Sequence, residues 1–421
     1  MNKFDWKEYL KFLPLLILYI LITVVLNDSH LKGDEGRYLY FTQNLIKGYY
    51  ANPDMKSGFL WNGPGYPIIL VPFQYFNLPL IFPRFLNALF LFTGVIFLYK
   101  SLLYFISKKQ SFIISLLCGL THPYFMFAIT SVLTESFSFF LISLSIYFFL
   151  RFYKNDKKLD LFITSFLLGY LVLTKVFFSY VLLTGLMILT AISLVKRFKS
   201  PHSRFIKLIL CAFLFCIPYL IYTYSLTGKL FYWADSGGLS LYCMSTPYES
   251  EYGDWFPPKL YDKPGESTST TIPQKNTLYQ NHAKFLDSIS NFDGLKQDGL
   301  LKKIAIANIK AHKLKYLKNV LYNFGRISFR YPFTDREVKP LLLIVNILHF
   351  SVFFFPLVAT FIILLLQKPE PALIYPAIFL LVSICGILLL SAESRFLFPL
   401  YPVMLFLIGA ILVKKVNFLD D

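Results

Sequence analysis

About ten stretches of the chain are apolar for long enough to cross the hydrocarbon core of a bilayer, a crossing that takes about 20 residues of helix. They run approximately through residues 10–26, 84–106, 112–130, 133–152, 159–174, 178–195, 205–225, 341–366, 372–390 and 396–413, the third and fourth sharing one apolar run. Of the 421 residues 56% are hydrophobic, 19% aromatic and only 15% charged. That is too little polar surface for a soluble domain. The expected fold is an all-α polytopic membrane protein of about ten transmembrane helices.

The basic residues give the orientation. Lys3, Lys7 and Lys11, Lys108 and Lys109, Arg151, Lys154, Lys157 and Lys158, Lys196, Arg197, Lys199 and Arg204, Lys368, and Lys414 and Lys415 all fall on one side if the spans alternate. By the positive-inside rule that side is cytoplasmic, with both termini on it. Most short-loop cations in the net charge of +17 are thereby accounted for by topology. With no glycine-rich phosphate loop, basic-aromatic module or zinc spacing, a nucleic-acid partner is not expected. Asp5 and Glu8 interrupt the charged start, and Val25-Leu26-Asn27-Asp28 offers no small-residue cleavage site, so the first span reads as an uncleaved anchor. Cys118, Cys211, Cys216 and Cys385 lie in spans; Cys243 alone falls in a long loop, a single exposed thiol that argues against a disulfide framework.

Two long loops, 27–83 and 227–339, fall on the non-cytoplasmic side, where function is to be sought. They divide the chain into an N-terminal transmembrane module (1–226) that includes the first loop, a mainly helical loop domain (227–339) and C-terminal transmembrane helices (340–421). In the first loop, Glu35 to Lys47 reads as a short helix with Tyr38, Phe41, Thr42 and Leu45 on one face, Asp34 as N-cap and Gly48 as stop. Tyr66 to Phe76 is too short to span and reads as an interfacial piece. The second loop is rich in aromatics, Gly, Ser and Pro from Phe231 to Pro273, then helical to Arg330. There Leu301, Ile304, Ala305, Ile309, Leu317, Val320, Leu321 and Phe324 recur at helical spacing beside Lys302, Lys303, Lys310, Lys313 and Lys318. This basic amphipathic pattern suits lipid headgroups or an anionic ligand, or equally a solvated face over a packed stripe.

Asp34 and Glu35, side by side in the first loop, are the leading candidates for chemistry. The topology places Glu135, Lys175, Glu393 and Arg395 at span ends on the same face. A charge deep in lipid costs about 2.5–3.5 kcal/mol, so each needs water, a partner or a function. Each also has a purely structural reading: Asp34 as a helix cap, Glu135 at the positive end of its helix, Lys175 snorkelling, Arg395 anchoring a helix end, and Tyr66 and Trp61 as interface-belt aromatics. Adjacent residues diverge on a helix or strand, so one acid is expected to react and the other to orient it or form a salt bridge. One carboxylate with cations at a membrane face suits sugar transfer from a lipid phosphate: the carboxylate takes the acceptor's proton, and Arg or Lys neutralises the departing phosphate. A phosphate leaving group needs no protonating acid.

The segments Gly33-Asp34-Glu35-Gly36-Arg37-Tyr38, Asn44-Leu45-Ile46-Lys47-Gly48 and Asn62-Gly63-Pro64-Gly65-Tyr66-Pro67 resemble the first outer loop of GT-C glycosyltransferases, in the branch of the protein O-mannosyltransferases and the lipid A aminoarabinose transferase. The resemblance continues through Pro83-Arg84-Phe85-Leu86-Asn87, Leu133-Thr134-Glu135-Ser136 and the run from Glu393 to Pro402, covering most of the membrane part. It implies a GT-C-like fold and an inverting transfer from a polyprenyl-phosphate-linked sugar to a lipid, envelope glycan or protein acceptor on the non-cytoplasmic face of a bacterial inner membrane. It maps Asp34 to the catalytic acidic residue, Glu35 to its partner and Glu135 to a second acidic position. Arg395 is the candidate for the lipid phosphate, and Lys175 stands where related chains often carry Arg. Glu393, Arg37, Tyr66 and Trp61 complete the candidate substrate-binding set. His30, His122, His282 and His312 form no recognisable ligand spacing, so a divalent metal is left open. The alternatives are a transporter or flippase of a lipid-linked saccharide and a non-catalytic scaffold. Transporters show internal repeats and midplane polar groups, whereas here the charges gather at one face and no repeat is visible.

Overall fold

The computed structural model describes residues 7–28, 30–195, 202–256, 273–334, 338–367 and 370–415, and is helical with no strand among them. Lys3, Lys196, Arg197, Lys199 and Lys368 of the basic pattern lie outside the described residues. Helices α1 (Lys7–Leu10) and α2 (Leu13–Val25) lead to the first long loop, which holds α3 (Glu35–Ile46) and α4 (Gly65–Tyr75). Then follow α5 (Ile81–Leu102), α6 (Lys108–Leu120), α7 (Phe125–Thr130), α8 (Thr134–Asn155), α9 (Lys158–Thr174), α10 (Phe177–Val195), α11 (His202–Leu214) and α12 (Ile217–Thr227). The second loop contains α13 (Ser236–Met244), α14 (Pro273–Ile289), α15 (Gly294–Ala311) and α16 (Lys313–Phe329). The chain returns through α17 (Pro340–Leu366), α18 (Pro371–Leu390) and α19 (Tyr401–Leu407), which runs on into a π-helical stretch, Ile408–Val413.

Every apolar stretch is helical, but the ten expected spans are not ten plain rods. Among the described residues seven helices are long and apolar enough to cross a membrane, and α11 and α12, bent by 53°, form an eighth crossing if the pair is one span. The bend falls just before Pro218, which has no N–H to continue the ladder. The stretch 112–130 is broken between α6 and α7, where Pro123 disfavours helix at His122. The stretch 159–174 is the 17-residue α9, about 25 Å long at 1.5 Å per residue.

Ion pairs show which helix ends share a face. Glu8 meets Lys108 at 3.1 Å, Arg151 meets Asp160 at 3.2 Å, and Arg204 meets Asp156 at 3.3 Å. These gather the start of the chain and the ends of α6, α8, α9 and α11 at one end of the bundle. The first loop, the other end of α8 and the turn before α19 meet at the opposite end, where the site lies. The chain is an integral membrane protein.

The loop domain has its own core, in which Leu239, Tyr242, Phe256, Leu278, Leu286, Ile289, Leu301 and Ala305 are buried. Cys243 belongs to it and is buried, not exposed as expected from its place in a loop; all five cysteines are unpaired. Two seams fasten this domain to the first loop. Gly58 N–H donates to Asp235 Oδ2 at 2.7 Å, and Asp235 N–H donates to Leu60 O at 3.1 Å. Gly294 N–H donates to Met55 O at 2.6 Å. Burial, reinforced by Asp298, pushes the Asp235 carboxyl up to about 7 against the pull of the Gly58 N–H.

Candidate active site at one membrane face

The first loop owes its position to small residues. Gly48, at φ +88°, ends α3 in a conformation that L side chains rarely adopt. Gly63 and Gly65 then let the backbone lie directly on Leu173 and Thr174 at the end of α9; a Cβ at Gly65 would come within 2.6 Å of Thr174 Oγ1. The Tyr170 hydroxyl donates to Gly65 O at 3.0 Å across the same seam. In this way the loop comes to lie beside Lys175.

Asp34 occupies the N-cap position of α3 but makes no side-chain capping bond. Its carboxylate faces cations instead. Oδ1 accepts from Arg37, one turn along α3, at 2.7 Å, and Oδ2 accepts from Arg395 at 2.9 Å. The Arg37 guanidinium lies over the Trp61 ring at 4.8 Å. Arg395 is carried by the 3-10 turn Ser394–Phe396, which Glu393 opens by accepting the Phe396 N–H at its backbone carbonyl. The Asp34 and Arg395 side chains are 26% and 27% exposed, so the pair is open on one side. Burial works to raise the Asp34 carboxyl, but Arg395, Arg37 and Lys175 outweigh it and hold it below its ordinary value. It is ionised at neutral pH and able to accept a proton.

A second pair stands beside the first. Lys175 Nζ reaches Glu135 Oε1 at 3.1 Å. Glu135 sits in the first turn of α8, where the helix terminus favours a carboxylate. Its Oε2 is buried without a hydrogen-bond partner. Lys175 and Arg395 flank one ring, that of Phe396, each at 5.4 Å from its centroid. Asp34, Arg37, Trp61, Glu135, Lys175, Glu393 and Arg395 therefore assemble from four separate parts of the chain.

Glu35 faces elsewhere and is fully buried. Its Oε1 accepts from Val132 N–H at 2.6 Å and pairs with Arg84 at 3.4 Å, and its Oε2 accepts from Lys32 N–H at 2.5 Å. Arg84, also fully buried, donates to Asn27 Oδ1 and to Asp28 O. The pair ties the start of the first loop to α5 and to the α7–α8 junction. Tyr66 is buried too, its hydroxyl donating to Asn87 Oδ1 at 3.0 Å and its ring set edge-on to Tyr38. It packs beneath the loop against Asn87 and Tyr38.

Arg84 and Tyr124 were absent from the sequence-derived set. Arg84 had a legible signal, a guanidinium inside an apolar stretch. Tyr124, close enough to Arg395 and Glu135 to feel both charges, had none. No cluster of three or more His, Cys, Asp or Glu side chains that would hold a metal ion occurs among the described residues.

The course of the helices as a whole recurs in a protein of known structure. The apo oligosaccharyltransferase of Archaeoglobus fulgidus superposes over 97% of this chain with a TM-score of 0.51 and 14% identity. The chain has the GT-C fold. It covers 51% of that archaeal chain, so it spans about half the length of that GT-C protein. Another structure of an oligosaccharyltransferase from A. fulgidus, AglB with an inhibitory peptide and a dolichol-phosphate, gives a TM-score of 0.49 at 13% identity, covering 97% of this chain and 50% of that one. ArnT of Cupriavidus metallidurans bound to undecaprenyl phosphate gives 0.38 at 13% identity, over 97% of this chain and 78% of that one. A family model described as dolichyl-phosphate-mannose-protein mannosyltransferase matches residues 49–229, from just beyond α3 to just past α12. No curated protein sequence matches the chain.

Proposed function

We propose that the chain is an inverting glycosyltransferase that moves a sugar from a polyprenyl-phosphate donor to a lipid, envelope glycan or protein acceptor on the non-cytoplasmic face of the membrane. The observation that carries the reading is the Asp34 carboxylate held between Arg37 and Arg395 and open on one side. The mannosyltransferase match over residues 49–229 supports it.

In this reaction Asp34 takes the proton from the acceptor hydroxyl as that oxygen bonds to the anomeric carbon. The bond from that carbon to the phosphate oxygen breaks, and the electron pair leaves with the phosphate. Arg395 neutralises the charge that develops there, in a partly dehydrated site where such a contact is worth most. A phosphate drawing Arg395 toward itself takes from Asp34 the strongest influence holding its carboxyl down. Asp34 thus becomes a stronger base when the donor is in place. Lys175, paired with Glu135, offers a second cation beside Asp34. Glu35 holds the loop through Arg84 and is not itself the base.

Donor binding tests the phosphate role. Arg395→Ala in the purified, reconstituted protein is expected to weaken binding of a polyprenyl-phosphate-linked sugar by about tenfold or more, the scale of a lost charge-assisted hydrogen bond. Unchanged donor affinity removes Arg395 from the phosphate site.

A further inference from the structure

α16 is amphipathic in the inverted sense. Its buried face is polar: Lys315, Asn319, Asn323 and Arg326 point inward and are hydrogen-bonded, Lys315 to Glu251 O and Asn319 to Met244 O among others. Its bare face carries Leu314, Leu317 and Leu321, which are 83%, 58% and 70% exposed. Three leucines at helical spacing, turned away from a polar seam, suit an apolar surrounding.

The hydrogen bonds of α16 place it at the membrane boundary. The Tyr316 hydroxyl donates to Leu389 O at 2.8 Å, and Asn323 Nδ2 donates to Leu388 O at 2.7 Å. These carbonyls lie in the last turn of α18, where the apolar span Ala372–Leu390 ends. Residues 316 and 323 are about 10 Å apart along α16, yet they reach neighbouring residues of α18 only about 1.5 Å apart in rise. α16 therefore crosses the end of that span and does not run beside it. Charge completes the pattern. No acidic residue occurs between Asp298 and Asp335, while Lys303, Lys310, Lys313 and Arg330 are exposed.

We propose that α16 is an in-plane membrane helix: its leucine face enters the acyl region, and the flanking lysines bind anionic phospholipid headgroups of the leaflet on the site's side. α16 also packs against the 3-10 turn Ser394–Phe396. A lipid-held α16 would steady the turn that carries Arg395, a consequence that rests on the proposed donor role of Arg395.

The test uses the full chain in vesicles of equimolar phosphatidylglycerol and phosphatidylcholine. The emission that Leu317→Trp adds over the parent protein should be quenched by acyl-brominated lipid and not by aqueous iodide, and Leu314→Trp should behave alike. Quenching by iodide alone overturns the proposal; so does shielding from both quenchers, which would assign the face to a second copy or a partner protein. Lys310→Gln with Lys313→Gln should weaken phosphatidylglycerol binding in nanodiscs about fivefold per lysine, the equivalent of about 1 kcal/mol per basic residue at an anionic surface. Unchanged binding overturns the headgroup assignment. Turnover enters neither readout, so failure of the donor chemistry leaves both intact.

Discussion

Asp34 and Glu35 are chain neighbours with different surroundings, because successive helical side chains diverge by about 100°. Asp34 turns to the open cations, whereas Glu35 turns inward to Arg84 and the Val132 N–H. Removing one member of a buried pair strands the other, at a cost of about 3–5 kcal/mol. Glu35→Ala should therefore lower the thermal unfolding midpoint sharply in detergent; a midpoint equal to the parent's would contradict the structural role of Glu35. Asp235 provides a pH signature at the seam between the loops. Its carboxyl titrates near 7 in the folded protein against an ordinary value of 3.8. The folded state thus binds the proton more tightly, so this residue's stabilising contribution is complete below about pH 4 and is lost as pH rises through about 7. Asp235→Asn should flatten the loss of stability between those limits, measured by thermal unfolding across pH. A pH dependence identical to the parent's would remove Asp235 as its source.

At the scale of elements, the sequence made the apolar stretches and the short helix after Asp34 legible, because burial in lipid and a 3.6-residue period leave strong composition signals. It did not reveal which side of a helix faces inward. Leu301 and Ala305 are buried as their spacing suggests, but Leu317 and Leu321 of the same periodic series are exposed. Periodicity marks an apolar face without saying whether protein or lipid covers it. The breaks in the spans were likewise missed, although Pro123 and Pro218 stand beside them. The docking of the first loop on α9 rests on small residues whose value only contacts reveal. Gly65→Ala forces a Cβ against the backbone of Leu173 and Thr174. Overpacking of this kind costs about 1–3 kcal/mol. The variant should unfold at lower temperature and turn over donor more slowly, because the loop is displaced from Lys175; parent-like stability and turnover would show that the contact is dispensable.

For the molecule as a whole, charges scarce in an apolar chain were the legible part of the site. Asp34, Glu135, Lys175 and Arg395 lie far apart in sequence, and topology alone placed their helix ends on one face, where the structure joins them into two adjacent ion pairs. The role of Arg84 was not legible, because its partner Glu35 lies 49 residues away and reads equally well as a chemical group. Separation of labour between the two acids is what the whole account depends on, and one variant examines it. Asp34→Asn, purified and reconstituted with a polyprenyl-phosphate-linked sugar and acceptor, should unfold at the parent's temperature while turnover falls by about 100- to 10,000-fold, the usual worth of a positioned general base. Full turnover by that folded variant would contradict the assignment of Asp34 as the base.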